Sequence, residues 1–187
     1  MLYKYPLHSV RMDCLRCKKR EAQNTLAHAG ALCNFCFLET IEQRVRKDVS
    51  KNPLSRGERV CILTNETKES AVAQWMIARI ADKLPLAIEQ RPLETMGDVQ
   101  PFTKIFYPYD ADDIGSRFLE NIFKGTPQHP TLSLLQVVLD SEVKLFADLK
   151  GFSYKEQDVP PATKALRELE GIYPGSIFGL GKSKRLL

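Results

Sequence analysis

The sequence has no long hydrophobic run, and none approaches the roughly 20 apolar residues that a helix needs to span a bilayer. Residues 1–6 have neither the apolar core nor the small-residue cleavage site of a secretory signal peptide. Internal repeats and low-complexity segments are also absent. With 43% hydrophobic and 27% charged residues, the composition is that of a globular protein. We therefore expect a cytoplasmic protein without a membrane partner.

The chain has few cysteines in absolute number, five in all, and their placement is informative. Four of the five cysteines form two C-x-x-C pairs, Cys14/Cys17 and Cys33/Cys36, separated by 15 residues. This is the spacing of a tetrahedral four-thiolate zinc site, and disulfides are disfavoured in the cytoplasm. Four thiolates leave no open position on the metal, so we predict structural rather than catalytic zinc. The fifth cysteine, Cys61, lies in an apolar run and is expected to be an inert core residue.

Acidic residues are few in the N-terminal third of the chain. Residues 1–59 carry 12 Lys/Arg against 6 Asp/Glu, a net charge of +6, whereas residues 60–187 have a net charge of −2. A basic module beside a near-neutral one favours a nucleic acid as partner. A basic surface without a partner would produce the same excess.

Glycine is missing where a phosphate-binding loop would need it. The apolar run Val60–Leu63 predicts a buried strand, and residues 71–80 show a helical pattern. In many α/β proteins such a strand–loop–helix junction binds phosphate, because backbone N–H groups of the loop and the helix N-terminus face the ligand. The connecting loop, residues 64–70, contains no glycine.

The remaining pattern alternates strands and helices. An amphipathic basic helix is predicted after Cys36, followed by a polar linker from Asp48 to Gly57. Further strands are predicted over residues 86–88 and 104–107, and residues 136–139 are either a strand or an extended approach to the next helix. Helices are predicted over 112–124, ending at Gly125, and over 142–150 and 161–169. A short edge strand could occupy residues 2–7, and residues 181–187 resemble a flexible basic tail. We predict an α/β fold with a parallel sheet, with a zinc ribbon, basic helix and linker at 1–56 and the sheet domain at 57–187.

Several stretches resemble the cytosolic tRNA 2-thiolation proteins of the PP-loop ATP pyrophosphatase superfamily. The C-x-x-C…C-x-x-C-F module and its basic helix precede a strand–loop–helix, as in that family. Residues 65–70 stand where the family has Ser-Gly-Gly-Lys-Asp-Ser. Residues 109–114 and 121–125 resemble its Gly-His-Asn-Ala-Asp-Asp-Ile segment and the helix that follows, and 141–147 and 165–174 resemble its C-terminal helices. The resemblance implies a Rossmann-like domain of the PP-loop type.

The chain departs from this family at the residues that carry the chemistry. Glu66 and Thr67 replace the two glycines that let the backbone wrap a phosphate, while Lys68 and Ser70 match. Active thiouridylases also use a cysteine pair near the active site, and only Cys61 remains here. The resemblance therefore implies a vestigial nucleotide site without bound ATP. Its residues are Asn65, Glu66, Thr67, Lys68, Glu69, Ser70, Asp112 and Asp113.

Taken together, the match and the departures imply the non-catalytic second subunit of the cytosolic thiouridylase. Such a subunit would form a heterodimer with a catalytic PP-loop paralogue and would bind the tRNA whose wobble uridine is 2-thiolated. In this interpretation, basic residues of the zinc module and the first helix contact tRNA phosphates. They are Arg16, Lys18, Lys19, Arg20, Arg44, Arg46 and Lys47.

Two alternatives remain open from the sequence. The chain could be a catalytically active, ATP-dependent tRNA-modifying PP-loop enzyme, based on Lys68, Ser70, Asp112 and Asp113. The two aspartates could hold magnesium, or could simply stabilise the N-terminus of a helix through its dipole. The third possibility is a zinc-ribbon scaffold protein unrelated to tRNA.

Overall fold

The computed structural model describes residues 12–26, 29–82, 84–94, 102–126 and 131–183, except the side chains of 182 and 183. Two expected features lie outside these residues: the edge strand at 2–7 and the end of the basic tail, 184–187. The chain separates after Thr40 into two compact units. The domain boundary at 56/57 stays a prediction.

The first unit contains a small antiparallel ribbon, as expected between the two cysteine pairs. Strand β1 (Asn24–Leu26) pairs with β2 (Gly30–Leu32). The first helix, α1 (Asn34–Val49), begins earlier than the sequence pattern predicts, because the Phe37 N–H already donates to the Cys33 carbonyl at 2.9 Å. The helix therefore starts inside the second cysteine pair. Its buried stripe recurs every four residues at Phe37, Ile41 and Val45.

The second unit is built on a three-stranded parallel sheet, in the order β4-β3-β5. Strands β3 (Arg59–Thr64), β4 (Ala87–Pro92) and β5 (Lys104–Phe106) confirm the three strands expected from the sequence. Strand β3 is central, and its residues 60–63 are fully buried, because helices and neighbouring strands leave no side of it in contact with water. At its carboxyl end, β3 leads into the loop at residues 65–67, which connects it to the next helix.

Five further helices lie in the described part of this unit. They are α2 (Lys68–Ala81), α3 (Ala111–Lys124), α4 (Asp140–Lys150), α5 (Pro161–Ile172) and α6 (Ser176–Ser183). Helix α2 packs against α4, whereas α3 packs against α5 and α6 around Ala111, Leu166 and Ile177. Helix α3 ends at Gly125 as expected, with the positive φ of 61° that glycine adopts without steric cost.

Two segments differ from the sequence interpretation. Residues 136–139 form turns and no strand; only the neighbouring Leu135 makes an isolated parallel bridge, with Asp110. Helix α6 is not expected from the sequence and occupies part of the presumed tail. Its Ile177 is buried against α3 and α5, so tertiary packing stabilises a segment rich in glycine.

None of the helices in the described ranges combines the length and the apolarity that crossing a bilayer requires.

Candidate functional site

The four cysteines of the two C-x-x-C pairs converge on one point. All four sulfur atoms lie within 4.8 Å of one another, and the Cys17 and Cys33 sulfurs are 3.9 Å apart. Cys14, Cys33 and Cys36 are buried, and Cys17 is partly exposed. No disulfide joins them. The sequence prediction that these residues form one four-cysteine site able to hold a metal is confirmed.

Backbone N–H groups of the two cysteine loops surround these sulfurs. Burial raises the pKa of Cys14, but backbone hydrogen bonds from Cys17, Cys33 and Arg16 outweigh it and lower the pKa to about 6. A backbone hydrogen bond from Cys36 likewise lowers the pKa of Cys33. Thiolates are the form that binds metals, so the loops favour the ligating state at Cys14 and Cys33. Burial and the neighbouring cysteines instead raise the pKa of Cys36 to about 12. The fifth thiol, Cys61, is fully buried in β3, and burial raises its pKa.

The loop between β3 and α2 satisfies much of its own backbone. The Thr67 side chain caps α2 by accepting from the Ser70 N–H, and the Asn65 side chain accepts from the Thr67 N–H at 3.3 Å. The Ser70 hydroxyl in turn accepts from the Asn65 N–H at 3.2 Å. Three N–H groups of the loop are therefore bonded to the loop's own side chains. A phosphate in this position would have to displace them.

Lys68, the loop residue that best matches a phosphate ligand, is held between two carboxylates. Its Nζ lies 2.5 Å from Glu69 Oε1 and 2.7 Å from Asp140 Oδ1, and the side chain is 19% exposed. Burial lowers the pKa of Lys68, but its hydrogen bonds to Asp140 and Glu69 outweigh this and raise it above its ordinary value. The ammonium charge is thus neutralised within the protein.

Asp112 and Asp113, at the start of α3, both have structural partners. Asp112 accepts from the Asp140 N–H at 2.9 Å and from Arg167 Nε at 3.1 Å. Asp113 forms a capping box with Asp110, in which each side chain accepts from the other residue's backbone N–H. Burial and the nearby Glu69 carboxylate raise the pKa of Asp113 to about 6.

The site is richer in carboxylates than the sequence prediction suggested. Carboxylate oxygens of Glu69, Asp110 and Asp140 lie within 4.8 Å of one another. Burial, together with the neighbouring Asp113 and Asp112, raises the pKa of Asp110 well above its ordinary value. Arg167 compensates part of this charge, because its Nη2 lies 2.9 Å from Asp140 Oδ2. The carboxylate charges are thus partly compensated by ion pairs with Lys68 and Arg167.

A cavity of about 460 Å³ lies beside the loop and is lined by Lys68, Asp113 and residues 154–160, among others. Its volume is within the range of small-molecule pockets. The segment at 154–160 also bonds to the loop, since the Lys155 N–H donates to the Glu66 carbonyl at 2.7 Å. The Lys155 ammonium pairs with the Glu66 carboxylate as well. Glu66 thus helps to attach this segment where the family has glycine.

The basic residues predicted to contact tRNA fall into two groups. Lys18, Lys19, Arg20 and Lys47 are exposed to solvent. Arg16 is paired with Glu39 at 3.2 Å, and Arg46 lies 3.9 Å from Glu42. Arg44 is partly buried, donates to Glu142 Oε2 at 2.7 Å, and so links α1 to α4. Their roles toward RNA stay predictions.

Sequence reasoning missed Asp110, Asp140, Arg167 and Lys155, which complete the ion pairs of the loop. Asp110 could have been found, because Asp110-x-x-Asp113 before an apolar run is a helix N-terminal signature. The other three approach the loop only through the packing of α4, α5 and the segment before α5. No local signal identifies them.

Comparison with known proteins supports the fold. No protein-family model matches the sequence, and no curated protein sequence matches it. Eighteen chains of solved structure match this chain. One is the U34-tRNA thiolase NcsA from Methanococcus maripaludis with its 4Fe-4S cluster, with a TM-score of 0.75 at 15% identity, covering 94% of this chain and 87% of that chain. At this identity the likeness shows a shared fold, and the α/β fold with a parallel sheet expected from the sequence is confirmed.

Proposed function

We propose that this chain acts in the 2-thiolation of the wobble uridine of tRNA, as a non-catalytic, tRNA-binding partner subunit. The fold shared with a U34-tRNA thiolase supports the tRNA thiolation system. One observation carries the non-catalytic role: Lys68 is neutralised by Glu69 and Asp140 inside a loop that bonds to itself. In this arrangement the Lys68 ammonium and three N–H groups of the loop are already bonded within the protein, so a triphosphate would have to displace those bonds.

The cysteine inventory supports the same proposal. Four of the five cysteines belong to the metal site, and the fifth is fully buried in the central strand. No cysteine pair is left to carry sulfur to a substrate. The catalytic cysteines and the nucleotide would therefore come from a PP-loop paralogue that keeps its glycines, with which this chain forms a heterodimer.

We assign the four-cysteine site to structural zinc. A zinc ion with Zn–S bonds of about 2.3 Å places its four sulfurs about 3.8 Å apart, close to the 3.9 Å between Cys17 and Cys33. An iron–sulfur cubane, which lies between its thiolates, holds them farther apart. The zinc would stabilise the small first unit, whose ribbon has only three residues in each strand.

Two titrations test this proposal on the full chain. With Mg-ATP, calorimetry should give no binding heat at micromolar concentrations, because Lys68 is occupied. With an unmodified tRNA transcript that carries a wobble uridine, we expect binding that weakens steeply as salt rises. Micromolar Mg-ATP binding would instead identify an active enzyme, and absence of tRNA binding would contradict the proposal.

Charge reversal locates the RNA surface. Arg46→Glu with Lys47→Glu should weaken tRNA binding and reduce its salt dependence, since phosphate contacts dominate both. Arg44 is left unchanged, because a glutamate there would face Glu142 and destabilise the fold. Lys124→Glu, an exposed basic site at the end of α3, is the control and should leave tRNA binding unaltered. Unchanged binding in the double variant would show that this surface is wrong.

Copurification tests the heterodimer. The tagged chain should retain a PP-loop protein that keeps the glycines and the cysteine pair missing here. Recovery of the chain as a homodimer that thiolates tRNA by itself would overturn the partner role.

A further inference from the structure

The first unit, which contains the four-cysteine site and is called the four-cysteine unit below, exposes an aromatic ring that is not part of its buried core. Phe35, between Cys33 and Cys36, is 60% exposed, whereas Phe37 is fully buried. Successive helix positions differ by about 100°, so residues two apart lie on nearly opposite faces. The stripe of Phe37 and Ile41 already forms the buried side of α1. Phe35 therefore lies on the solvent-exposed side of α1.

An arginine from the other cysteine loop lies against this ring. The guanidinium carbon of Arg20 is 4.9 Å from the centroid of Phe35, within the range of a cation–π contact. The backbone fixes its position, because the Arg20 carbonyl accepts from the Cys14 N–H at 2.8 Å. The ring lies within the second cysteine pair, and the guanidinium belongs to a residue that follows the first pair. The metal site, which joins the two pairs, therefore keeps these groups side by side.

The surroundings of this pair are positively charged and partly apolar. Lys18 and Lys19 precede Arg20 and are exposed, and Lys18 has a positive φ of 52°, which belongs to the turn after the first cysteine pair. Leu15 is 59% exposed in the same turn. The nearby carboxylates are partly engaged, since Glu39 pairs with Arg16. Four basic residues of this unit, Arg16, Lys18, Lys19 and Arg20, stand against three acidic ones, Asp13, Glu21 and Glu39, among its described residues.

We propose that Phe35 and Arg20 form a stacking surface for an unpaired RNA base. Exposed aromatic rings and guanidinium planes are the groups on which proteins stack single-stranded bases, and adjacent lysines bind the phosphates between them. The exposed Lys18 and Lys19 beside the ring favour an anionic polymer over an apolar protein surface as the partner. The proposal rests on the proposed function, because the RNA it would contact is the tRNA.

Substitution of the ring tests the stacking surface. Phe35→Ala in the full chain should weaken binding of an unmodified tRNA transcript about 5- to 150-fold, the range for loss of one stacked base. The loss should be the same at every salt concentration, because no phosphate contact is removed. Lys18→Met with Lys19→Met should instead reduce the salt dependence. Phe35→Trp should retain binding, and its additional indole fluorescence should be quenched by the RNA.

The control is Phe123→Ala. Phe123 is 83% exposed at the end of α3, outside the four-cysteine unit, and its removal should leave tRNA binding unchanged. A duplex RNA of the same length should not distinguish Phe35→Ala from wild type, since its bases are already stacked. Each variant should keep the metal content of the wild type, which confirms that the unit is folded.

The outcomes separate this proposal from the function on which it rests. If tRNA binds the wild type and Phe35→Ala equally well, the stacking surface is wrong and the tRNA-binding role stands. If Phe35→Ala weakens the binding of duplex RNA and of tRNA alike, the ring contributes to recognition of RNA shape or to folding of the protein, and the proposal fails. If the wild type binds no tRNA, the proposed function fails with it.

Discussion

The four-cysteine site and the loop after β3 differ in what they leave unsatisfied. In the first, four sulfurs lie within 4.8 Å of one another and share a few backbone N–H donors. In the second, Lys68 is paired with Glu69 and Asp140, and the loop caps its own helix. The sulfurs thus have few partners inside the protein, whereas the Lys68 ammonium and three N–H groups of the loop are paired there. The two regions therefore differ in how far the fold itself satisfies their polar groups.

Metal removal gives the largest expected effect. A structural zinc contributes on the order of 10 kcal/mol to folding, so Cys33→Ser should abolish metal binding and unfold the first unit. Metal analysis should give one ion per chain in the wild type and none in the variant, and limited proteolysis should then cleave within residues 12–32. Visible absorption separates zinc, which is colourless, from an iron–sulfur cluster.

Cys61→Ala is the matched control for this experiment. Its thiol is buried in β3 and takes no part in the metal site, so the metal content should remain one per chain. A folded, protease-resistant Cys33→Ser variant would contradict the structural role of the metal.

Removal of the Lys68 ammonium should have the next largest effect. Lys68→Met leaves the mostly buried Glu69 and Asp140 carboxylates without their common partner. Loss of one member of a buried ion pair costs about 3–5 kcal/mol, and we expect a decrease of this size in the free energy of unfolding by urea. Lys124→Met, which removes an exposed pair with Glu120, should cost less than about 1 kcal/mol. Equal stability of the two variants would mean that Lys68 is available for a ligand.

A smaller effect, with a characteristic pH dependence, is expected at Asp113. Its folded pKa of about 6 exceeds the ordinary value of 3.8, so ionisation destabilises the folded state. Asp113→Asn should therefore stabilise the protein by about 1–3 kcal/mol at pH 8. The gain should diminish as the pH falls through 6 and should disappear near 3.8, where both states bind the proton. Urea unfolding of both proteins across this range measures it, and a gain independent of pH would contradict the assignment.

The smallest effect is expected at the pair of Glu66 and Lys155. Both side chains are about three-quarters exposed, so the ion pair contributes less than about 1 kcal/mol. Glu66→Gln should leave the free energy of unfolding nearly unchanged and should not create binding of Mg-ATP, because Lys68 remains paired. ATP binding by this variant would show that the Glu66 carboxylate alone excludes the nucleotide.

Much of the fold could be predicted because its signals are local. The strand at β3, the helix at α2 and the end of α3 at Gly125 follow from apolar periodicity and from the αL conformation that glycine allows. Helix α6 and the turns at residues 136–139 could not be predicted in this way. They depend on burial against distant elements, which overrides weak local preferences.

The basic residues illustrate the same limit within the candidate site. Arg44 and Lys47 are equivalent in the sequence, as charged positions on one amphipathic helix. In the structure Arg44 bonds to Glu142 of α4 at 2.7 Å, and Lys47 faces solvent. The rotation of α1 about its axis decides which of its charged side chains face solvent. The sequence gives the positions of these charges but not that rotation.

The sequence by itself determined the four-cysteine site, since two C-x-x-C loops need only their own short ribbon to bring four sulfurs together. It also determined the absence of glycine from the loop after β3. Only the tertiary structure decided that Lys68 is neutralised, because Asp140 reaches it from the start of α4. Ion pairs between groups far apart in the chain form only when packing fixes both partners, and here the packing of α4 places Asp140 beside Lys68.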